Sequence, residues 1–191
     1  MLRRRLETDH GLHAISFSYH SVTETMVEHV RRLRELAQAQ TAATLHFVGH
    51  SMGGIVVMNL LEATQDLAPG RVVLLGCPVR GSRAAQGLAR WPLGRALIGH
   101  ALADVSPAEA NRIWDGRRDV GVIAGSTGVG LGRLLAQFTG DHDGTVLVEE
   151  TSLQGAADQI ILPVTHTGMV FSAEVAQQTA HFLQCGKFAK D

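Results

Sequence analysis

The sequence predicts an α/β fold with a mostly parallel sheet, and three features carry that reading. Apolar runs of strand length, "RVVLLGC" at Arg71–Cys77, "VGVIAGS" at Val120–Ser126 and "DQIILPV" at Asp158–Val164, alternate with segments of helical period. The first two runs are apolar nearly throughout, as strands are when helices cover both faces of a parallel sheet. The chain has 191 residues, 45% of them hydrophobic, enough for one sizeable core. We therefore expect a reduced sheet of about five to six strands flanked by helices on both faces, in a single domain over 1–191.

The elements follow in order. "LRRRLET", Leu2–Thr8, suits a helix that Gly11 ends as a C-cap. "AISFSY", Ala14–Tyr19, alternates apolar and polar residues and reads as a strand. Ser21 and Glu24 stand at capping-box spacing before a helix whose apolar face is Val22, Met26, Val30 and Leu33. A strand at Leu45–Val48 leads through a sharp turn into a helix from about Met52 to Thr64. After the strand at Arg71–Cys77, residues 78–118 hold helical patches and Pro78, Pro92 and Pro107 without a clear strand, as a small cap-like insertion would. The strands at Val120–Ser126 and Asp158–Val164 complete the sheet. Ser172 caps a last helix that turns Val175, Thr179, Phe182 and Leu183 inward and ends near Gly186.

Composition narrows the function. A net charge of −1 gives no electrostatic footprint for nucleic acid. Arg3, Arg4 and Arg5 are followed by no apolar stretch, so no signal peptide is expected, and no apolar run is long enough for stable membrane insertion. Cys77 and Cys185 imply no disulfide framework, which favours two thiols in a cytoplasmic protein. "GSTGVGLGR", Gly125–Arg133, lacks the Lys-Ser/Thr of a phosphate loop. Asp141 alone is not a ligand set, so neither a metal nor a cofactor is expected.

The chemistry concentrates in "LHFVGHSMGGIVVM", Leu45–Met58, which contains G-x-S-x-G at Gly49–Gly53 between an apolar strand and an apolar helix. That is the setting of a nucleophile elbow, in which a serine sits on a strained strand-to-helix turn. The glycines two residues either side of Ser51 relieve the crowding of such a turn. The positive helix N-terminus and the Met52 backbone N–H suit a developing oxyanion. A serine hydroxyl needs a base, and in this chain order the acid and then the histidine follow the serine. Of the ten histidines, His10, His13, His20, His29 and His46 precede Ser51. His50 is placed to pack or line the substrate site, His100 lies between strands, His142 adjoins the acid candidates and His181 is inside the last helix. His166, in the loop after the final strand, remains as the base. "GDHDGTV" offers Asp141 and Asp143 as acids; both fit the topology, and the turn at Gly144 favours Asp143.

With "GHSMGG", "GCPVRGS", "HDGTV" and "THTGMVFS" in this order over nearly the whole chain, the sequence resembles the bacterial lipases and small carboxylesterases of the α/β-hydrolase fold. In an Asn-Asp-Gly-hydrophobic-Val segment, these relatives carry the catalytic acid just before the glycine. Their base follows roughly twenty residues later; here Asp143 and His166 are 23 apart. The resemblance implies a Ser51, Asp143, His166 triad and hydrolysis of carboxylic esters. Thioesterases and acyltransferases use the same triad. The chain departs from the relatives upstream. They place a strand and a His-Gly loop before the elbow, and that loop supplies a second oxyanion N–H. Here His10-Gly11 precedes the first expected strand, so the second donor is unassigned. One lost donor costs about 10²–10³ in rate, which makes a catalytically impaired binding or assembly module the alternative expectation. An uncovered sheet edge would also favour a homo-oligomer. In the insertion, Trp91, Leu93, Leu97, Ile98, Leu102 and Trp114 suit either an acyl pocket or plain helix packing, and its shortness favours short acyl esters.

Overall fold

A computed structural model describes residues 1–19, 24–81, 113–128 and 140–190. Its elements are α1 (Leu2–Thr8), α2 (Met26–Gln38), β1 (Phe47–His50), α3 (Met52–Ala63), β2 (Val72–Leu75), β3 (Val120–Gly125), α4 (Val148–Thr151), β4 (Asp158–Leu162) and α5 (Ala173–Cys185). A short 3₁₀ turn, Gly168–Val170, precedes α5. The four strands form one parallel sheet in the order β1-β2-β3-β4. Phe47 is in register with Val72, Val72 with Val120, and Gly121 with Asp158.

The continuous apolar strands are buried on both faces, as their composition requires. Val72, Leu74, Val120 and Val122 pack on one side with Leu33 and Ala37 of α2 and Ile55, Met58, Leu60 and Leu61 of α3. Val73, Leu75 and Ile123 point to the other side, against Val175, Phe182 and Leu183 of α5. Helix α1 rests on α5. Burying one such side chain contributes roughly 1.5–3 kcal/mol, so the two apolar layers hold the sheet between them.

Helix boundaries follow local hydrogen bonding. Ser172 Oγ accepts from the Val175 N–H at 3.2 Å, and Gly186 closes α5 in the left-handed region at φ 76°. The expected capping box of α2 moves four residues on. Thr25 Oγ1 accepts from the Glu28 N–H at 3.3 Å while Glu28 Oε2 accepts from the Thr25 N–H at 2.7 Å. Glu24 binds Arg32 instead, at 2.7 Å. Ser21 and Val22 lie outside the described residues.

The run Ala14–Tyr19 corrects the sequence reading, because it carries no ladder. Alternation prepares two faces, but a strand also needs a neighbour to take its backbone groups. Among the described residues none does, and Ile15 is 50% exposed. Phe17 and Tyr19 lean on the α2/α3 core, and the Ser18 carbonyl accepts from Arg32 at 3.3 Å. The described residues thus form four strands instead of five to six, with β1 paired on one side only. No helix among them is long and apolar enough to cross a membrane.

Candidate active site

The turn from β1 into α3 holds Ser51 at φ 55°, ψ −129°, the one non-glycine residue with positive φ among the described residues. Such a conformation costs of order 1–3 kcal/mol and persists only where packing enforces it. Two glycines allow that packing. A Cβ on Gly49 would overlap the Gly54 backbone, and one on Gly54 would overlap Cys77 Sγ and sit 3.1 Å from Leu74 Cδ2. The motif glycine Gly53 is under less pressure, since a Cβ there would meet only the Tyr19 hydroxyl oxygen, at 3.5 Å. The close approach needed for the turn therefore falls on Gly54, a residue the five-letter motif omits. Cys77 is fully buried beneath it, and its Sγ–H donates to the Gly49 carbonyl at 3.2 Å. Burial pushes this thiol up to about 12, so it stays protonated and is a packing residue. Met52 is the first residue of α3, where the N–H has no intrahelical acceptor.

Opposite the elbow, loops from the carboxyl ends of the other strands converge. His166 Nδ1 lies 2.7 Å from Asp143 Oδ2. The carboxylate accepts, so Nδ1 is the donor, and in the neutral ring that tautomer leaves the lone pair on Nε2. Asp143 Oδ1 accepts from the Thr145 and Val146 N–H groups at 2.9 and 2.7 Å, which fixes the carboxylate's orientation. The His166 N–H also donates to the Asp143 carbonyl at 2.8 Å. Asp143 is 1% exposed and His166 13%, so the pair is shielded while the imidazole retains an open side. The pair passes over Gly76, which follows β2. A Cβ there would lie 3.0 Å from Asp143 Oδ2 and 3.2 Å from His166 Nδ1, and its φ of 55° also favours glycine. Asp141 does not join the pair; its carbonyl accepts from the Val148 N–H at 2.9 Å.

His50 couples these two halves. Its Nε2–H donates to the His166 carbonyl at 2.9 Å, and the two rings stand 4.6 Å apart. The residue before Ser51 is thereby tied to the loop that carries His166. Expected to pack or line the site, His50 directs its Nε2–H at that loop. Trp91 and Leu97, with Leu93, Ile98 and Leu102, lie outside the described residues. Trp114 is buried in the α2/α3 core, and its Nε1–H donates to the Arg118 carbonyl at 2.7 Å. It borders a cavity of about 500 Å³ with His46, Arg71 and Arg118. Those residues precede β1, β2 and β3, so this cavity opens at the end of the sheet opposite Ser51. Among the described residues, no group of three or more His, Cys, Asp or Glu side chains could hold a metal ion.

Two predictions follow from this packing. Gly54→Ala should lose about 1–3 kcal/mol by overpacking. Gly53→Ala should be neutral or gain up to about 1 kcal/mol from helix propensity. Urea unfolding midpoints of the two variants compare them directly. The second prediction concerns pH. Burial, and then the His166 charge, hold His50 below the ordinary imidazole range; burial, Arg71 and Arg118 do the same for His46. Their unfolded forms protonate first, near pH 6.5, so stability should fall as pH is lowered through that value and level off below the folded pKa values. His50→Gln, which keeps an N–H donor but does not titrate, should flatten this dependence between about pH 7 and pH 5. Equal slopes in the two proteins would remove His50 from the account.

Comparison with known proteins places the fold. The solved structure of mature Bacillus licheniformis lipase BlEst2 is similar at a TM-score of 0.64 and 20% identity, covering 85% of this chain and 75% of that one. The propeptide form of that lipase gives a TM-score of 0.64 at 19% identity, covering 88% of this chain and 42% of that one. The metagenomic carboxyl esterase MGS0156 gives 0.60 at 19% identity, covering 74% of this chain and 51% of that one. This chain thus spans about half of the MGS0156 chain and less than half of the propeptide form. No curated protein sequence matches it. The sequence does match the Alpha/beta hydrolase family over residues 2–180. With that match over nearly its whole length and a parallel sheet that presents Ser51 on a strand-to-helix turn, the chain belongs to the alpha/beta hydrolase family.

Proposed function

We propose that this protein is a serine hydrolase that cleaves carboxylic esters, with short-chain acyl esters as its first substrate class. The observation that carries the reading is the 2.7 Å Asp143–His166 hydrogen bond, set at the same edge of the sheet as the strained Ser51. In this reading Ser51 Oγ attacks the ester carbonyl while His166 Nε2 takes its proton. The imidazolium then returns that proton to the leaving alcohol, which leaves an acyl-enzyme. Water, activated by the same nitrogen, releases the acid. Asp143 holds the tautomer this requires and stabilises the imidazolium. The Met52 N–H faces the negative charge that develops on the carbonyl oxygen. The lipase and esterase names of the similar structures support an ester as the substrate.

Hydrolysis of p-nitrophenyl acetate and butyrate tests the proposal. Ser51→Ala should abolish turnover and labelling by a fluorophosphonate probe. Asp143→Asn should retain the labelled serine but lower kcat by about 10⁴, because the amide favours the wrong tautomer of His166. Wild-type rates in Ser51→Ala would sink the assignment.

A further inference from the structure

An oxyanion held by a single backbone N–H is poorly stabilised, and each missing donor costs about 10²–10³ in rate. A polar side chain beside the elbow comes from the run that failed to become a strand. The Tyr19 hydroxyl oxygen lies 3.5 Å from the Cβ position of Gly53. It is therefore within about 5 Å of the Gly53 Cα. That is the first turn of α3, where the earliest N–H groups lack intrahelical acceptors. The ring is held by packing. Its centroid is 4.5 Å from that of His29, a fully buried residue of α2, and 5.7 Å from that of Phe17. Among the described residues no hydrogen bond engages the hydroxyl, which leaves its proton available to a ligand oxygen.

On the reading of the protein as a serine hydrolase, we propose that the Tyr19 hydroxyl is the second donor of the oxyanion hole, acting with the Met52 N–H. As the Ser51 Oγ–carbon bond forms, the carbonyl π pair moves onto oxygen and the serine proton passes to His166. Tyr19 donates a hydrogen bond to that oxygen and keeps its own proton. When the intermediate collapses, the pair returns to the carbonyl and the alcohol leaves with the proton from His166. Burial, and then the nearby Cys77 thiol, push the phenol up to about 12, so it remains a neutral donor across the working range of the imidazole. The small Gly53 leaves the hydroxyl its place beside the turn; a side chain longer than Ala there would displace it.

Tyr19→Phe keeps the ring and removes only the donor. We expect kcat for p-nitrophenyl butyrate to fall about 10²–10³-fold with KM nearly unchanged. A trifluoromethyl ketone that mimics the tetrahedral intermediate should bind more weakly by a similar factor. The urea midpoint should stay at the wild-type value. Incorporation of 3,5-difluorotyrosine at position 19 should restore turnover and add an alkaline loss of rate as the more acidic phenol ionises, a response that ring packing alone would not produce. An active wild type matched by Tyr19→Phe in kcat and ketone affinity overturns the Tyr19 role and leaves the hydrolase reading intact. A wild type that neither turns over esters nor takes the fluorophosphonate at Ser51 overturns both.

Discussion

Ser51 sits at φ 55°, a backbone conformation that resists a side chain, and the arrangement around it exists to keep it there. Gly49 and Gly54 touch because neither carries a Cβ, and Cys77 fills the space beneath Gly54. The contact joins three consecutive pieces of the fold: the end of β1, the first turn of α3 and the residue two beyond β2. Because β1 and β2 pair in fixed register, His50 opposite Leu75, the Ser51 N–H reaches the Leu75 carbonyl at 2.9 Å. The turn is thus held from below by packing and from the side by the sheet. Its strain is sustained by two apolar layers that would have to separate before it could relax.

The same register brings Asp143 and His166 to one place. Parallel strands end on a common edge, so the loops after β2, β3 and β4 meet there. Gly76 lies under the Asp143–His166 pair because it follows β2. Asp143 and His166 come from the segments after β3 and β4, and His50 reaches across from β1 to the His166 carbonyl. Each strand contributes one part. The hydrogen bond between residues 23 apart thus joins the segments that follow two neighbouring strands.

Much of this was legible in residue patterns. The strands β2 and β3 announce themselves as apolar runs, α3 begins at the residue the G-x-S-x-G motif implies, and Ser172 and Gly186 bound α5 as capping chemistry demands. Two readings failed for identifiable reasons. Ser21/Glu24 and Thr25/Glu28 satisfy the same box spacing. The second pair starts the helix, with His29, Leu33 and Ala37 buried along one of its faces and Glu24 engaged by Arg32. Ala14–Tyr19 alternates like a strand, yet alternation describes side chains, whereas a ladder depends on a neighbour's backbone. That failure matters, since it leaves Tyr19 against α3 instead of in the sheet.

The residue order alone was enough for the α/β class and the strained turn at Ser51, because these are written in periods and turn residues that act over a few positions. It favoured Asp143 over Asp141 without showing the contact with His166, had His50 pack or line the site without showing its bond to the His166 carbonyl, assigned the second close glycine to Gly53 instead of Gly54, and did not show where Tyr19 rests. Each of these is a contact between segments far apart in the chain. Such contacts are set by strand register and helix packing, in which a shift of one residue turns a side chain to the opposite face.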